Sequence, residues 1–494
     1  MSKIDFSLPR RQSVRGLVLI FIQEGKRGIQ AFWPVLVPVL LTKTSGNKLI
    51  IIGLIFTGGA ILTLIHAIFY FRNFMFHIEN NQFILRKGYI NRKTLTIPLD
   101  RIQNVNTNQT VLQQFLEVMS LEIDTAGTAK KELKIHALSK VVAARLALEL
   151  SSHLEIQQVD NLADEKRILP VEKQILKLSN RDLLIIGLSQ NHLRTALIIF
   201  VFGIQFYNQV QEFFEVKAKE YAQEALLYLS RSGWAIITSL ILFFVLVSFV
   251  YSMIRTLVLF YDLQFFKLGQ SYRIVSGLLN RKNILIPFDK IQQLDWETDP
   301  LKKLFGIYRV NILQATSELA IKAKLIEIPG CLGWHIELLK EDLFGPDELA
   351  GKPLIRSLKV YFWRSWMYYG WLPAGLLSPA LFIEWRYIFA LIGWILFMFF
   401  YSRLILRKSY FQISNDQIRV SSGAISHHYR QMEFHKVQNL EFRQTLFQKK
   451  RGVASLKIGN ASGFIMIRFI EEKIARTLHD YLLYYAETSE KEWM

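Results

Sequence analysis

The chain alternates between long apolar runs and polar stretches in which apolar residues recur at every second position. Between Lys48 and Arg72, and again between Arg231 and Arg255, lie 23 residues without a single Asp, Glu, Lys or Arg. A bilayer core about 30 Å thick needs about 20 helical residues, so each run is expected to span it. Weaker runs accompany them. Residues 28–42 are short and carry Pro34 and Pro38, and residues 195–211 end in polar side chains. Residues 365–383 and 387–402 are separated by Glu384, Trp385 and Arg386, the pattern of a tight helical hairpin. The expectation is about six transmembrane helices in three hairpins, with a re-entrant reading left open for residues 28–42. Trp33, Trp234, Trp366, Trp371 and Trp385 fall near the ends of these runs, where an aromatic belt places them.

The polar stretches read as β-structure. Phe76/Ile78, Phe83/Leu85, Leu95/Ile97/Leu99 and Leu133/Ile135 alternate with polar neighbours, which puts one face in a core and one in water. Turn residues separate the strands: Asn80-Asn81, Gly269-Gln270-Ser271 and Asn415-Asp416. Helical spacing interrupts the pattern at 110–118 and 299–307. A helix is also expected to close each stretch, at 139–154, 333–344 and 471–485.

Self-comparison shows why the pattern recurs. Residues 87–123, 276–312 and 422–458 align without gaps. Gly88, Gly277 and Gly423 coincide, as do Gln103, Gln292 and Gln438 and the basic Arg101, Lys290 and Lys436. Each copy follows one apolar pair. The expected division is a basic segment (1–27), hairpin 1 (28–72), module 1 (73–160), a linker (161–192), hairpin 2 (193–258), module 2 (259–350), a basic linker (351–364), hairpin 3 (365–406) and module 3 (407–494).

The recurring core is Arg101-Ile102-Gln103-Asn104-Val105, Lys290-Ile291-Gln292-Gln293-Leu294 and Lys436-Val437-Gln438-Asn439-Leu440. With its downstream aliphatic pairs it resembles the bacterial pleckstrin-homology-like (PH-like) membrane proteins of the YdbS/YdbT type. The resemblance covers essentially the whole chain. It implies three small antiparallel β-barrels, each capped by a C-terminal helix and facing the cytoplasm, and it makes a smaller PH-like membrane protein a natural partner. The copies differ at Glu433 against Pro98 and Pro287, at His435 against Asp100 and Asp289, and at Glu117 against Gly306 and Gly452. Eukaryotic domains of this fold often bind phosphoinositides through a basic first hairpin loop. The corresponding loops here, ENNQ, LGQS and SNDQ, are not basic, so that property is not carried over.

Charge then sets the orientation. The net charge is +19, from 60 Lys and Arg against 41 Asp and Glu. Residues 1–27 hold six basic side chains without a cleavable signal pattern, and Lys352, Arg356, Lys359 and Arg364 precede the third hairpin with no acid among 351–364. The basic excess beside the apolar runs predicts an inner-membrane protein whose N-terminus, modules and C-terminus are cytoplasmic. An anionic inner leaflet accounts for the charge without nucleic acid, which needs a basic stripe with stacking aromatics. One cysteine, Cys331, excludes an internal disulfide framework and a multi-cysteine metal site.

Catalytic patterns are sparse. No phosphate-binding glycine loop, dinucleotide fingerprint or zinc-protease motif occurs. Asp100 and Asp289 read as turn residues. His427 and His428 point to opposite sides of a strand and cannot easily share a metal. His66 inside an apolar run reads as a packed neutral imidazole. No cofactor and no enzymatic activity are expected. The repeat positions Arg101, Gln103, Lys290, Gln292, Lys436 and Gln438 are structural or interaction candidates. Arg86, Lys87, Arg92, Lys93, Lys449, Lys450 and Arg451 are candidate contacts to anionic lipid. The expected function is presentation of the modules for protein interaction or self-association at the membrane surface. A transporter or channel with cytoplasmic regulatory modules is the alternative.

Overall fold

The computed structural model describes residues 5–41, 48–89, 91–125, 133–159, 172–190, 192–213, 234–314, 325–382 and 384–489. Two compact units emerge. One comprises Met1–Gln174 with Leu263–Pro287, the other Ile175–Asp262 with Phe288–Met494.

In the first unit β1 (Arg10–Arg11) pairs with β2 (Met75–Glu79), followed by β3 (Gln82–Lys87) and β4 (Lys93–Pro98). Asn80 and Asn81 form the two-residue turn between β2 and β3, both with positive φ (49° and 59°). This is the turn whose twist matches paired strands, and Asn tolerates it. β5 (Ile102–Thr110), β6 (Val118–Thr125) and β7 (Leu133–Ser139) form a second layer, and the helix Lys140–Val159 follows. Phe76, Phe83 and Leu85 from one layer meet Leu121, Ile123 and Ile135 from the other, with Ala143, Leu146 and Leu150 of the helix between them. β8 (Lys173–Lys177) lies at the boundary between the units. The unit is completed by β9 (Gln264–Leu268), β10 (Ser271–Ser276) and β11 (Asn280–Pro287).

The second unit holds β12 (Ile291–Thr298), β13 (Ile307–Gln314), β14 (Leu325–Leu332), β15 (Ile355–Arg356), β16 (Tyr410–Ile413), β17 (Gln417–Ser422) and β18 (His427–Glu433), then β19 (Val437–Arg443), β20 (Val453–Asn460) and β21 (Gly463–Glu471). Phe411, Ile418, Met432 and Phe434 pack against Leu456, Ile458, Ile465 and the Ala475/Leu478/Leu482 stripe of the helix Glu472–Thr488. That stripe has helical spacing, as one face of a core-packed helix requires.

Two expectations are corrected. The first is the number of spans. Among the described residues two helices are long and apolar enough to cross a membrane, Thr238–Phe260 and Tyr387–Lys408, with Thr195–Gln205 a shorter apolar stretch. The expected span at 365–383 breaks into the pieces Lys359–Trp366, Met367–Trp371, Leu372–Leu377 and Ser378–Phe382. Pro373 and Pro379 remove backbone donors there, and π and 3-10 turns replace the regular ladder. Of the expected span at 195–211, Thr195–Gln205 is a shorter apolar stretch, and the side chains from 206 to 211 lie outside those described. Helices Gly16–Leu41 and Lys48–Asn73 occur where the first hairpin was expected, but residues 42–47 and the side chains from 31 to 52 lie outside those described.

The second correction concerns the barrels. The sheets are open and antiparallel, and they run from one repeat into the next. In the first unit the order is β7-β6-β5-β11-β10-β9, and in the second β14-β13-β12-β18-β17-β16-β15. The middle repeat is thus divided, β9–β11 continuing the second layer of module 1 and β12–β14 joining the first layer of module 3. Period-two patterning assigns each side chain to a face but leaves the strand edges unassigned.

Candidate interaction surfaces

Three local features recur and are built by the same residues. The first is the tight turn before β4, β11 and β18. Gly88, Gly277 and Gly423 have φ of +89°, +108° and +122°. A Cβ at each would meet the backbone oxygen of Asn91, Asn280 or Ser426. The coincidence of these glycines is therefore a conformational requirement.

The second feature is the join between repeats. β5 pairs with β11 as Thr107↔Asn283, Asn108↔Lys282 and Gln109↔Arg281. β12 pairs with β18 as Trp296↔Tyr429, Glu297↔His428 and Thr298↔His427. These are equivalent positions of the repeat, so both joins have one register. The second also reverses the buried face. Val420 packs in the core of module 3 and lies across β17–β18–β12 from Arg430 and Asp295, whereas Leu294 and Trp296 are buried on the opposite face.

The rungs of the second join are polar and aromatic. The Trp296 and Tyr429 rings stack at 5.3 Å and 11°, and the Arg419 guanidinium lies 5.6 Å from the Trp296 ring centre. Arg419 also binds both carboxylate oxygens of Asp347 at 2.9 and 3.0 Å. Glu297 accepts from His428 Nδ1 at 2.8 Å and faces Arg309 at 3.1 Å. The His428 bond outweighs burial, so the Glu297 carboxyl is held below its usual range. Asp295 accepts from Gln293 Nε2 at 2.6 Å, but burial dominates over Arg430 and pushes its carboxyl up to about 6. His427, between Ser421 Oγ at 2.7 Å and Tyr429 Oη at 3.2 Å, is driven down to about 4 by burial and then by Lys408. It is neutral at physiological pH.

The third feature is a short helix at one end of each second layer: Val111–Phe115, Pro300–Leu304 and Leu446–Lys449. Thr110, Asp299 and Thr445 start them. Gln113 Oε1 accepts from Thr110 N at 2.9 Å, and Gln448 Oε1 from Thr445 N at 2.8 Å. Their amide nitrogens turn inward to Ser120 and Ser455. The opposite faces carry Phe115, 85% exposed, Leu304, 77%, and Leu446 and Phe447, 80% and 83%. Glu117, Gly306 and Gly452 close these turns with φ of +54°, +66° and +61°. The Glu117 departure from glycine thus costs backbone strain, while its carboxylate binds Arg15. Val453, just beyond the third tip, packs with Phe469 and Tyr361 against Ile405 and Leu406. These last two lie at the end of the apolar helix Tyr387–Lys408, so the third tip lies beside that end. In the first unit Val118, Leu112 and Leu116 pack on Leu19 of the helix Gly16–Leu41.

The repeat positions expected to act alike are separated by the fold. Lys436 is buried, donates from Nζ to the Asp289 carbonyl at 2.8 Å, and is held below its usual range by burial. Lys290 pairs with Asp289 at 3.0 Å, and Arg101 is exposed. Gln292 is buried and Gln438 exposed, while the side chain of Gln103 lies outside the described residues. Lys87 and Lys93 are cross-strand neighbours in β3 and β4, with Arg86 and Arg92 exposed beside them. Lys449, Lys450 and Arg451 are exposed next to Leu446 and Phe447. His66 contacts Tyr89 Oη at 3.1 Å. Among the described residues no cluster of three His, Cys, Asp or Glu could hold a metal ion. The joins and the apolar tips were missed from sequence. The signal for the tips was present, as surface Leu and Phe at equivalent positions of the repeat.

Comparison with known proteins adds two findings. The family described as "Bacterial PH domain" matches at residues 32–154, 213–330 and 368–486. A relative from Bacillus subtilis (strain 168), the UPF0699 transmembrane protein YdbT, is 24% identical over 417 residues, covering 81% of this chain and 82% of its own length.

Proposed function

Because the chain belongs to the bacterial PH domain family, with a relative named as a transmembrane protein, we propose that it is a membrane-anchored scaffold. It holds its modules at the cytoplasmic face of the membrane and binds protein there without catalysing a reaction. The observation that carries this reading is the join. Its modules recognise one another by strand addition in one repeated register, and strand addition is a general mode of protein recognition. The apolar tips with their Lys449-Lys450-Arg451 flank support a position against anionic lipid. Anchoring two binding surfaces to one membrane raises their effective concentration, so weak edge contacts suffice.

The test is crosslinking of the full-length chain in native membranes, followed by identification of what is captured. The expected result is a specific protein adduct, to itself or to another membrane protein, that disappears when the β19 face is altered. Purified chain that shows no self-association, together with no such adduct from membranes, refutes the scaffold reading. Solute flux in proteoliposomes would replace it with a transport role.

A further inference from the structure

We propose that β19 of one chain takes up β4 of a second copy in the register of the two internal joins, linking chains end to end. This rests on the scaffold reading above and names its binding surface. β5, β12 and β19 are equivalent strands, as are β4, β11 and β18. The outer edge of β5 is taken by β11 and that of β12 by β18, whereas β19 and β4 each end their sheets among the described residues. The two terminal edges are of complementary kinds. Burial records the difference. Leu294 and Trp296, paired with β18 at the occupied edge, are 0% and 6% exposed, while the equivalent Leu440 and Phe442 are only half-buried and Arg443 is exposed, as are Lys93, Thr94 and Thr96 of β4.

Transferring the common register places Phe442 opposite Thr94, Leu440 opposite Thr96, Glu441 opposite Leu95 and Arg443 opposite Lys93. The aromatic partner is in keeping with the internal rung, where Trp296 faces Tyr429. The last rung is different. Glu297↔His428 is an attractive pair, and Arg443↔Lys93 sets two cations face to face. Glu441 partly offsets this by binding Arg443 at 2.6 Å and Lys457 at 2.8 Å. Like charges directly opposite weaken a strand pair, and charged residues are a common guard on an open edge. The contact between copies is therefore weak and tuned by this rung. A contact that pairs two different edges of the same molecule is heterologous, and it propagates unless the geometry closes a ring.

The test uses full-length chains in liposomes. One tagged chain carries Phe442→Cys, and a differently tagged chain carries Thr94→Cys. Residues directly opposite on an antiparallel pair lie within disulfide reach. The native Cys331 is buried, and burial pushes its thiol up to about 12, so it does not compete. Mild oxidation is expected to give the mixed dimer in excess over either like dimer. Phe442→Cys with Leu95→Cys, one residue out of register, is expected to give none. Adding Lys93→Glu to the Thr94→Cys chain is expected to raise the mixed-dimer yield severalfold, and adding Arg443→Glu to its partner as well is expected to bring the yield back down. No mixed dimer, equal yields from both cysteine pairs, or a yield indifferent to Lys93→Glu overturns the proposal. Trapping of Phe442→Cys by a different membrane protein, with no second copy captured, overturns the choice of occupant and leaves the scaffold reading standing. Absence of any adduct overturns both.

Discussion

Replacing Asp295 with Asn should stabilise the join between modules 2 and 3 at neutral pH and change little in acid. Asp295 lies on β12 opposite Arg430 of β18, with Arg430 Nε 3.7 Å from its carboxylate. At that distance the guanidinium does not offset burial, and the carboxyl rises from 3.8 to about 6. Two units at 1.36 kcal/mol each bound the effect at about 3 kcal/mol. Below pH ~4 the folded and unfolded chains both hold the proton, and stability does not depend on this group. Between ~4 and ~6 the folded chain alone holds it, so stability falls as pH rises. Above ~6 both have released it and the full loss persists. Asn keeps the acceptor for Gln293 and gives up the attraction of Arg430, leaving a net gain on the order of 1–2 kcal/mol at pH 7.5. Amide hydrogen exchange of β12 and β18 reads this as slower local opening. Asp295→Asn that exchanges faster than the native chain at pH 7.5, or that is equally protective at pH 4 and 7.5, refutes the argument.

Three further perturbations probe the recurring features. Trp296→Ala should cost about 3–5 kcal/mol in unfolding free energy, and a double-mutant cycle with Tyr429→Leu should return a coupling of about 0.5–1.5 kcal/mol from the stack; no coupling would mean the rings do not meet. Gln448→Ala should destabilise by about 1–2 kcal/mol by uncapping Leu446–Lys449 and removing one of the two donors to Ser455 Oγ, the other being Phe469 N, while Gln448→Glu should recover the cap alone, as denaturant titration will read. A polarity-sensitive dye on Phe447→Cys in anionic liposomes should shift to the blue and be quenched by shallow lipid quenchers, and Lys449→Ala, Lys450→Ala and Arg451→Ala should each weaken this by about 1 kcal/mol; a dye reporting bulk water would remove the tip from the bilayer.

Sequence alone established the threefold repeat, the strand periodicity, the closing helices and the family. These are properties of residues near one another in the chain, or of residues matched at a fixed offset. The glycines at 88, 277 and 423 belong to this class, since a positive φ is a local demand. The span count did not follow, because local composition at 365–383 is apolar while Pro373 and Pro379 break the helix that composition suggests. The candidate site was only half legible. Arg101, Lys290 and Lys436 align perfectly yet end exposed, ion-paired and buried; for Lys436 the difference is made by another repeat, which supplies the Asp289 carbonyl it binds. Which repeat's edge meets which was a decision of the tertiary structure. An edge is made of backbone N–H and C=O groups that every residue carries, so its choice of partner leaves no mark in side-chain pattern until the neighbouring strand is in place.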